Sequence, residues 1–324
     1  MFDRESAPHV APFEICAGAF AVTDRRVAVG TYSGWAIFDV PTLGLLASQT
    51  HILPAEHGMI GVQWSGADLL MLAPPIALKQ ELWVLDSAHR AASIRALPAG
   101  NWRMTRHLEG EQLFLYDVTE GLGVACFDRG GQRWRVPMPD VWRVVAAAQR
   151  LLCLGRERLM VVDLSGQVLM TAALPKNFGW TSVVMMPDRT LVLGGYDKVS
   201  HDFVLAPLDR GGAMTGELSR HPLASVFSAK TIRAAFADQD CGIDLFHIGR
   251  MYSSAPGTLT MALGGGGDDL GACQGAAALA VVELGEHASW KARVVDTEDG
   301  ISGFTPLPEG RWLADFCGEL RVYK

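Results

Sequence analysis

The chain has no apolar run near the ~18 residues that a membrane-spanning helix requires. It also lacks a Cys-x-x-Cys motif and a pair of histidines at the spacing of a zinc-binding helix. These absences exclude a helical membrane span and any local zinc signature. Its six cysteines (Cys16, Cys126, Cys153, Cys241, Cys273, Cys317) include no close pair. Several lie in apolar segments, where cysteine acts as a small buried hydrophobe, so reduced thiols are expected rather than a disulfide framework. Lysine is scarce, at 6 against 22 arginines, and the net charge is −7. That balance gives no global attraction for nucleic acid, whose non-specific binding needs clustered cations. No Gly-x-Ser-x-Gly elbow occurs, and the run Gly264-Gly265-Gly266-Gly267 lacks the Lys-Ser/Thr ending of a phosphate loop. The first residues, Met1 to His9, carry acids and a proline where a secretory leader would carry a basic cluster and an apolar stretch. The expected location is the cytoplasm, and the arginine-over-lysine bias in an alanine-rich chain hints at a bacterial source.

What is present is a globular composition, 49% hydrophobic and 19% charged over 324 residues, which excludes disorder. Closed all-β folds reach this length as one domain. A period runs through the chain. An apolar residue followed by Asp recurs at Phe38-Asp39, Leu85-Asp86, Phe127-Asp128, Val162-Asp163 and Leu208-Asp209, with 47, 42, 35 and 46 residues between successive acids. Val282-Glu283 is a diverged sixth copy. Each copy ends an apolar segment and precedes turn residues, as in Asp163-Leu164-Ser165-Gly166. Asp accepts local backbone hydrogen bonds and Gly supplies positive φ, so each reads as a strand running into a hairpin.

A second marker keeps step with the first: Pro12, Pro54, Pro98, Pro139, Pro175 and Pro222. Proline lacks the N–H that a central strand needs, which puts it in connections. Trp102, Trp142 and Trp180 follow three of these prolines and open apolar segments that read as innermost strands. Four strands per ~40 residues is the pattern of a propeller blade.

The expected fold is therefore all-β, a single seven-bladed β-propeller over residues 1–324. Blades fall near 13–54, 55–98, 99–139, 140–175, 176–222, 223–296 and 297–324 plus 1–12. The last blade stops after three strands, and Phe2 to Pro12 carry the markers of the missing fourth, which predicts closure of the ring by the N-terminal segment. The sixth blade is overlong: Leu223 to Phe236 reads either as an inserted helix or as an irregular inner strand, and the glycine run to Gly275 as a long loop between second and third strands.

At the level of the superfamily, the apolar-Asp-turn marker resembles that of WD-repeat and pyrroloquinoline-quinone-type repeat propellers. The resemblance implies the propeller fold. The Gly-His dipeptide of WD repeats is absent, as is a regular tryptophan docking motif of the quinone type.

Chemistry is sparse in the sequence: it points to no catalytic residue, metal or cofactor. Asn101, Asp140, Asn177 and Asp299 lie in blade connections where ligands could gather over a channel, but polar residues are the ordinary content of such loops. The candidate partner-binding set is Trp102, Arg103, Arg106, Trp142, Arg143, Lys176 and Trp180, with His107 beside it, at equivalent places in consecutive blades and hence on one face around the channel mouth. Trp and Arg dominate binding hot spots; the competing reading is that the tryptophans pack between blades. The expected function is a non-enzymatic scaffold presenting one rim to a protein or peptide partner, as a subunit of a bacterial multi-protein system. The alternatives are a hydrolase or lyase with a site assembled at the channel mouth, and a carbohydrate-binding propeller.

Overall fold

A computed structural model describes residues 2–3, 15–31, 34–49, 59–76, 79–105, 112–119, 121–128, 131–237, 246–264, 276–285, 287–296, 300–301, 303–316 and 319–324. They form seven antiparallel sheets arranged as a propeller. Blade 1 is β1 (Ile15–Val22), β2 (Arg26–Thr31), β3 (Trp35–Asp39) and β4 (Leu45–Gln49). Blade 2 is β5 (Gly61–Ser65), β6 (Asp68–Leu72), β7 (Glu81–Leu85) and β8 (Ala91–Ala96); blade 3 is β9 (Trp102–Met104), β10 (Leu113–Asp117), β11 (Val124–Asp128) and β12 (Gly131–Val136). Blade 4 is β13 (Val141–Ala147), β14 (Arg150–Gly155), β15 (Arg158–Asp163) and β16 (Val168–Ala173); blade 5 is β17 (Phe178–Met185), β18 (Leu191–Asp197), β19 (Phe203–Leu208) and β20 (Ser219–His221). Helices α1 (Leu223–Val226) and α2 (Ala229–Ala237) lead into blade 6, formed by β21 (His247–Ala255), β22 (Thr258–Gly264), β23 (Ala277–Glu283) and β24 (Ser289–Asp296). Blade 7 has β25 (Gly303–Pro306), β26 (Trp312–Phe316) and β27 (Glu319–Tyr323).

The Asp marker works through its own turn. Asp163 Oδ1 accepts from the amides of Ser165 (2.9 Å) and Gln167 (2.8 Å) and from the Ser165 hydroxyl (2.7 Å), while Gly166 takes φ +91. Asp209 repeats this with Gly211 and Ala213, and Asp86 with Ala88 and Arg90. The Ser165 hydroxyl, followed by those amides, holds the Asp163 carboxyl below the usual range. A local bond set of this kind forms wherever the short motif occurs, which is why it is readable without tertiary information.

Packing between blades accounts for the apolar runs. Middle strands are buried on both faces, so β14 and β15 read as nearly unbroken hydrophobic segments, whereas the outer strand β16 is largely exposed. Seven core clusters each join two neighbouring blades, and one of them packs Val27, Val29 and Phe38 of blade 1 against Leu313, Leu320 and Val322 of blade 7. Cys126 and Cys153 are free and buried in the cluster between blades 3 and 4; burial pushes the Cys126 thiol up to about 11 and that of Cys153 higher still, so both behave as hydrophobes.

At the chain ends, Asp3 N–H donates to Lys324 O (2.9 Å) and Lys324 N–H donates to Asp3 O (3.1 Å). Phe2 is buried in the cluster between blades 6 and 7. The rest of the expected closing strand, residues 4–12, lies outside the described residues. The overlong sixth blade owes its length to α1 and α2, inserted ahead of its first strand. The glycine run falls between β22 and β23, with residues 265–275 outside the described set.

Candidate binding site in the central channel

The first strands of successive blades stand side by side around the propeller axis, with β1 against β5 and β25, β5 against β9, β13 against β17, and β21 against β17 and β25. Between them lies a cavity of about 340 Å³. Successive side chains of a strand point to opposite faces, and this alternation sorts the recurring Trp-Arg pairs. In β9, Trp102 turns into the junction with blade 2 and is fully buried, while Arg103 turns to the cavity.

The tryptophans have a structural task. The indole N–H of Trp102 donates to Pro98 O (2.9 Å) and that of Trp180 to Pro175 O (3.1 Å), so each ring closes the connection that leads into its blade. These bonds tie Trp102 and Trp180 to the recurring proline four or five residues before each. Buried Gln80 adds a second lock, donating to Ala73 O (2.8 Å) and Trp102 O (2.9 Å) and accepting from Trp102 N–H (2.8 Å). With Trp102 and Trp180 covered by neighbouring blades, neither offers a ring face to a partner. Both pack between blades, the competing reading of these tryptophans.

Trp142 is half-buried against the cluster between blades 4 and 5. A bulge between Val141 and Arg143 displaces the register there, and such bulges re-aim side chains. Arg143, only 6% exposed, lies over the Trp142 ring at 5.0 Å and reaches Gly249 O of blade 6 at 3.4 Å. Lys176 stands outside the cavity, exposed, with Nζ 3.1 Å from Glu157 Oε1. Arg106 and His107 lie outside the described residues. Asp140, a loop acid considered for a metal, is paired instead with Arg158 Nε at 3.1 Å. No group of three or more His, Cys, Asp or Glu able to hold a metal occurs among the described residues.

The cavity thus brings together Arg103 and Arg143 from the expected set and adds Arg250 of β21, with Tyr116 and Tyr252 beside them. The remaining described lining is mostly Val, Ala and Met, and it contains no Asp, Glu or His. Arg250 and Tyr252 escaped sequence reasoning because the helical insertion hid the first strand of blade 6. The usable signal was the segment His247-Ile248-Gly249-Arg250-Met251-Tyr252. Guanidinium groups carry forked donors that match carboxylate or phosphate. The arrangement suits capture of an anion.

No family model and no curated protein sequence matches the chain. Solved structures do match in fold. A streptogramin B lyase superposes with a TM-score of 0.66 at 10% identity, covering 100% of this chain and 97% of the lyase. YCF48 bound to a D1 peptide gives 0.64 at 10%, covering 99% and 96%. The Pan2 WD40 domain of Neurospora crassa gives 0.60 at 12%, covering 95% and 89%. At such identities the likeness speaks for the fold alone: the chain is a seven-bladed β-propeller similar in shape to WD40 domains and to lyase-type propellers.

Proposed function

We propose that this propeller is a non-enzymatic interaction module, acting in a bacterial cytoplasm as a subunit of a multi-protein system, and that its channel receives an anionic group carried by a protein or peptide partner. The observation that carries this reading is the convergence of Arg103, Arg143 and Arg250, from blades 3, 4 and 6, on one cavity with apolar walls. Charged lining of one sign steers an oppositely charged partner and fixes its register. Propellers of similar shape include one solved with a peptide and one within a mitotic checkpoint complex, which supports protein partners in general. The lyase alternative draws on fold likeness, and fold alone does not carry function.

The test is capture of partners from a lysate of the native host with wild-type protein and with the Arg103→Glu/Arg250→Glu variant. Arg143 is left intact, because it is buried and bonded across the channel. Loss of a captured protein at unchanged melting temperature is the expected result. Undiminished capture by the variant sinks the proposed use of the channel.

A further inference from the structure

A second cationic site lies outside the channel, between blades 4 and 5. There a groove of about 290 Å³ is floored by Val161, Met170, Met185 and Leu191 and flanked by Leu169. Arg150, Arg189 and Arg210 stand around it. Arg150 begins β14, Arg189 sits in the β17–β18 turn with φ +69, and Arg210 in the β19–β20 turn. Three separate hairpins therefore deliver one arginine each to the same groove. It opens near the far end of the first strands from the Trp-Arg pairs: Arg150 pairs with Ala147, four residues or roughly 13 Å along β13 from Arg143.

Among the described residues, none of these three guanidinium groups makes a hydrogen bond or ion pair. The acids of the same turns hydrogen-bond within those turns and keep their charge: Asp163, across from Arg150, accepts from Ser165 and Gln167, Asp188 from Thr190, and Asp209 from Gly211 and Ala213. Arg210 reaches Asp188 only through its field. Beside the groove the outer strand β16 exposes two consecutive large apolar side chains, Val168 at 43% and Leu169 at 44%. An apolar floor ringed by arginines that make no direct ion pair among the described residues has the layout of an interface core with a polar rim.

We infer that this groove is a separate docking site for a short extended peptide segment of a protein partner, in which an apolar side chain fills the floor and flanking acidic residues meet Arg150, Arg189 and Arg210. The concave shape and small volume suit one inserted side chain, whereas a membrane surface would need protruding apolar residues.

Binding is read by fluorescence anisotropy on the full chain, with a fluorescein-labelled peptide alternating glutamate and leucine. One control peptide has lysine for glutamate, another serine for leucine. The glutamate-leucine peptide is expected to bind saturably and more weakly as salt rises, and both controls at least tenfold more weakly. Arg189→Glu/Arg210→Glu, two exposed turn positions, should cost at least tenfold in affinity, and Leu169→Glu should weaken binding too, each with an unchanged circular dichroism melt. Arg103→Glu/Arg250→Glu should leave this affinity unchanged, which separates the groove from the channel. The inference is overturned by absence of saturable binding, by binding indifferent to the groove variants, by loss of binding in the channel variant instead, or by association with phosphatidylserine vesicles without peptide binding.

Discussion

The junctions on the two sides of blade 6 are held by different forces. Toward blade 5 the contact is aromatic and apolar. Phe227, 2% exposed between α1 and α2, stands between Phe203 of β19 (ring centroids 6.5 Å) and Phe246 (5.1 Å). Trp290 stacks on His221 at 4.8 Å and donates to Ser219 Oγ (2.9 Å). Toward blade 7 charge has a larger part. Arg321 of β27, with its side chain 9% exposed, bonds Asp296 of β24 (2.5 Å) and Glu319 (2.7 Å) and lies 4.1 Å over the Phe316 ring. Arg293 of β24 holds the chain's N-terminal end through Phe2 O and Asp3. The second junction is also where the two chain ends meet. Burial at the first junction is non-directional, whereas the ion pairs at the second are directional and form at the expense of desolvating the ions.

Breaking the apolar junction has the largest expected effect. Phe227→Ala should lower stability by about 3–5 kcal/mol, the usual loss for a buried aromatic ring, measured by urea denaturation. A loss below about 1 kcal/mol would show that α1 and α2 are appended to the propeller rather than part of its packing. The ionic junction comes next. Arg321→Leu leaves Asp296 and Glu319 without their buried donor and should cost about 1–3 kcal/mol. Adding Asp296→Leu should restore part of that loss, because a buried ion pair replaced on both sides by apolar groups is close to neutral. A double variant worse than the sum of the singles contradicts this account of the junction.

A smaller effect sharpens the comparison through pH. Burial lowers the His221 pKa from its ordinary 6.5, with the Asp202 charge acting in the opposite sense. The unfolded chain therefore takes up the proton more readily than the folded one. The contribution is fully present above about pH 6.5 and declines as pH falls through that value toward the lower folded pKa. The melting temperature should drop between pH 7 and pH 5, and His221→Phe, which keeps a ring on Trp290, should flatten the slope. A residual slope is expected from His89, lowered likewise by burial and then by the charge of Arg26. Identical slopes in the two proteins would remove His221 from the explanation.

Much of the fold was legible because its signals are local. Asp163 and Ser165, or Trp102 and Pro98, lie within five residues of each other, so the bonds that make a turn or close a connection leave a mark at fixed spacing. The run from Leu223 to Phe236 stayed ambiguous between helix and strand, since its apolar spacing fits a buried element of either type; packing against Phe203 and Phe246 selects the helical form. The site was half legible. Arg103 and Arg143 stand in the cavity as equivalent positions of neighbouring blades, but Arg250 is more than 100 residues from either in sequence. Arg150, Arg189 and Arg210 carry no shared motif at all.

The sequence by itself determined a ring of repeated blades, the place of each third-strand turn, and the position of the tryptophans at the starts of inner strands. Turn bonds and apolar runs are short-range, and they repeat with the blade. Tertiary structure alone decided which side of each inner strand faces the channel, so that Trp102 is buried and Arg103 lines the cavity. It also decided which arginines meet, because that depends on how the blades are oriented around the axis, and orientation is set by packing between segments far apart in the chain.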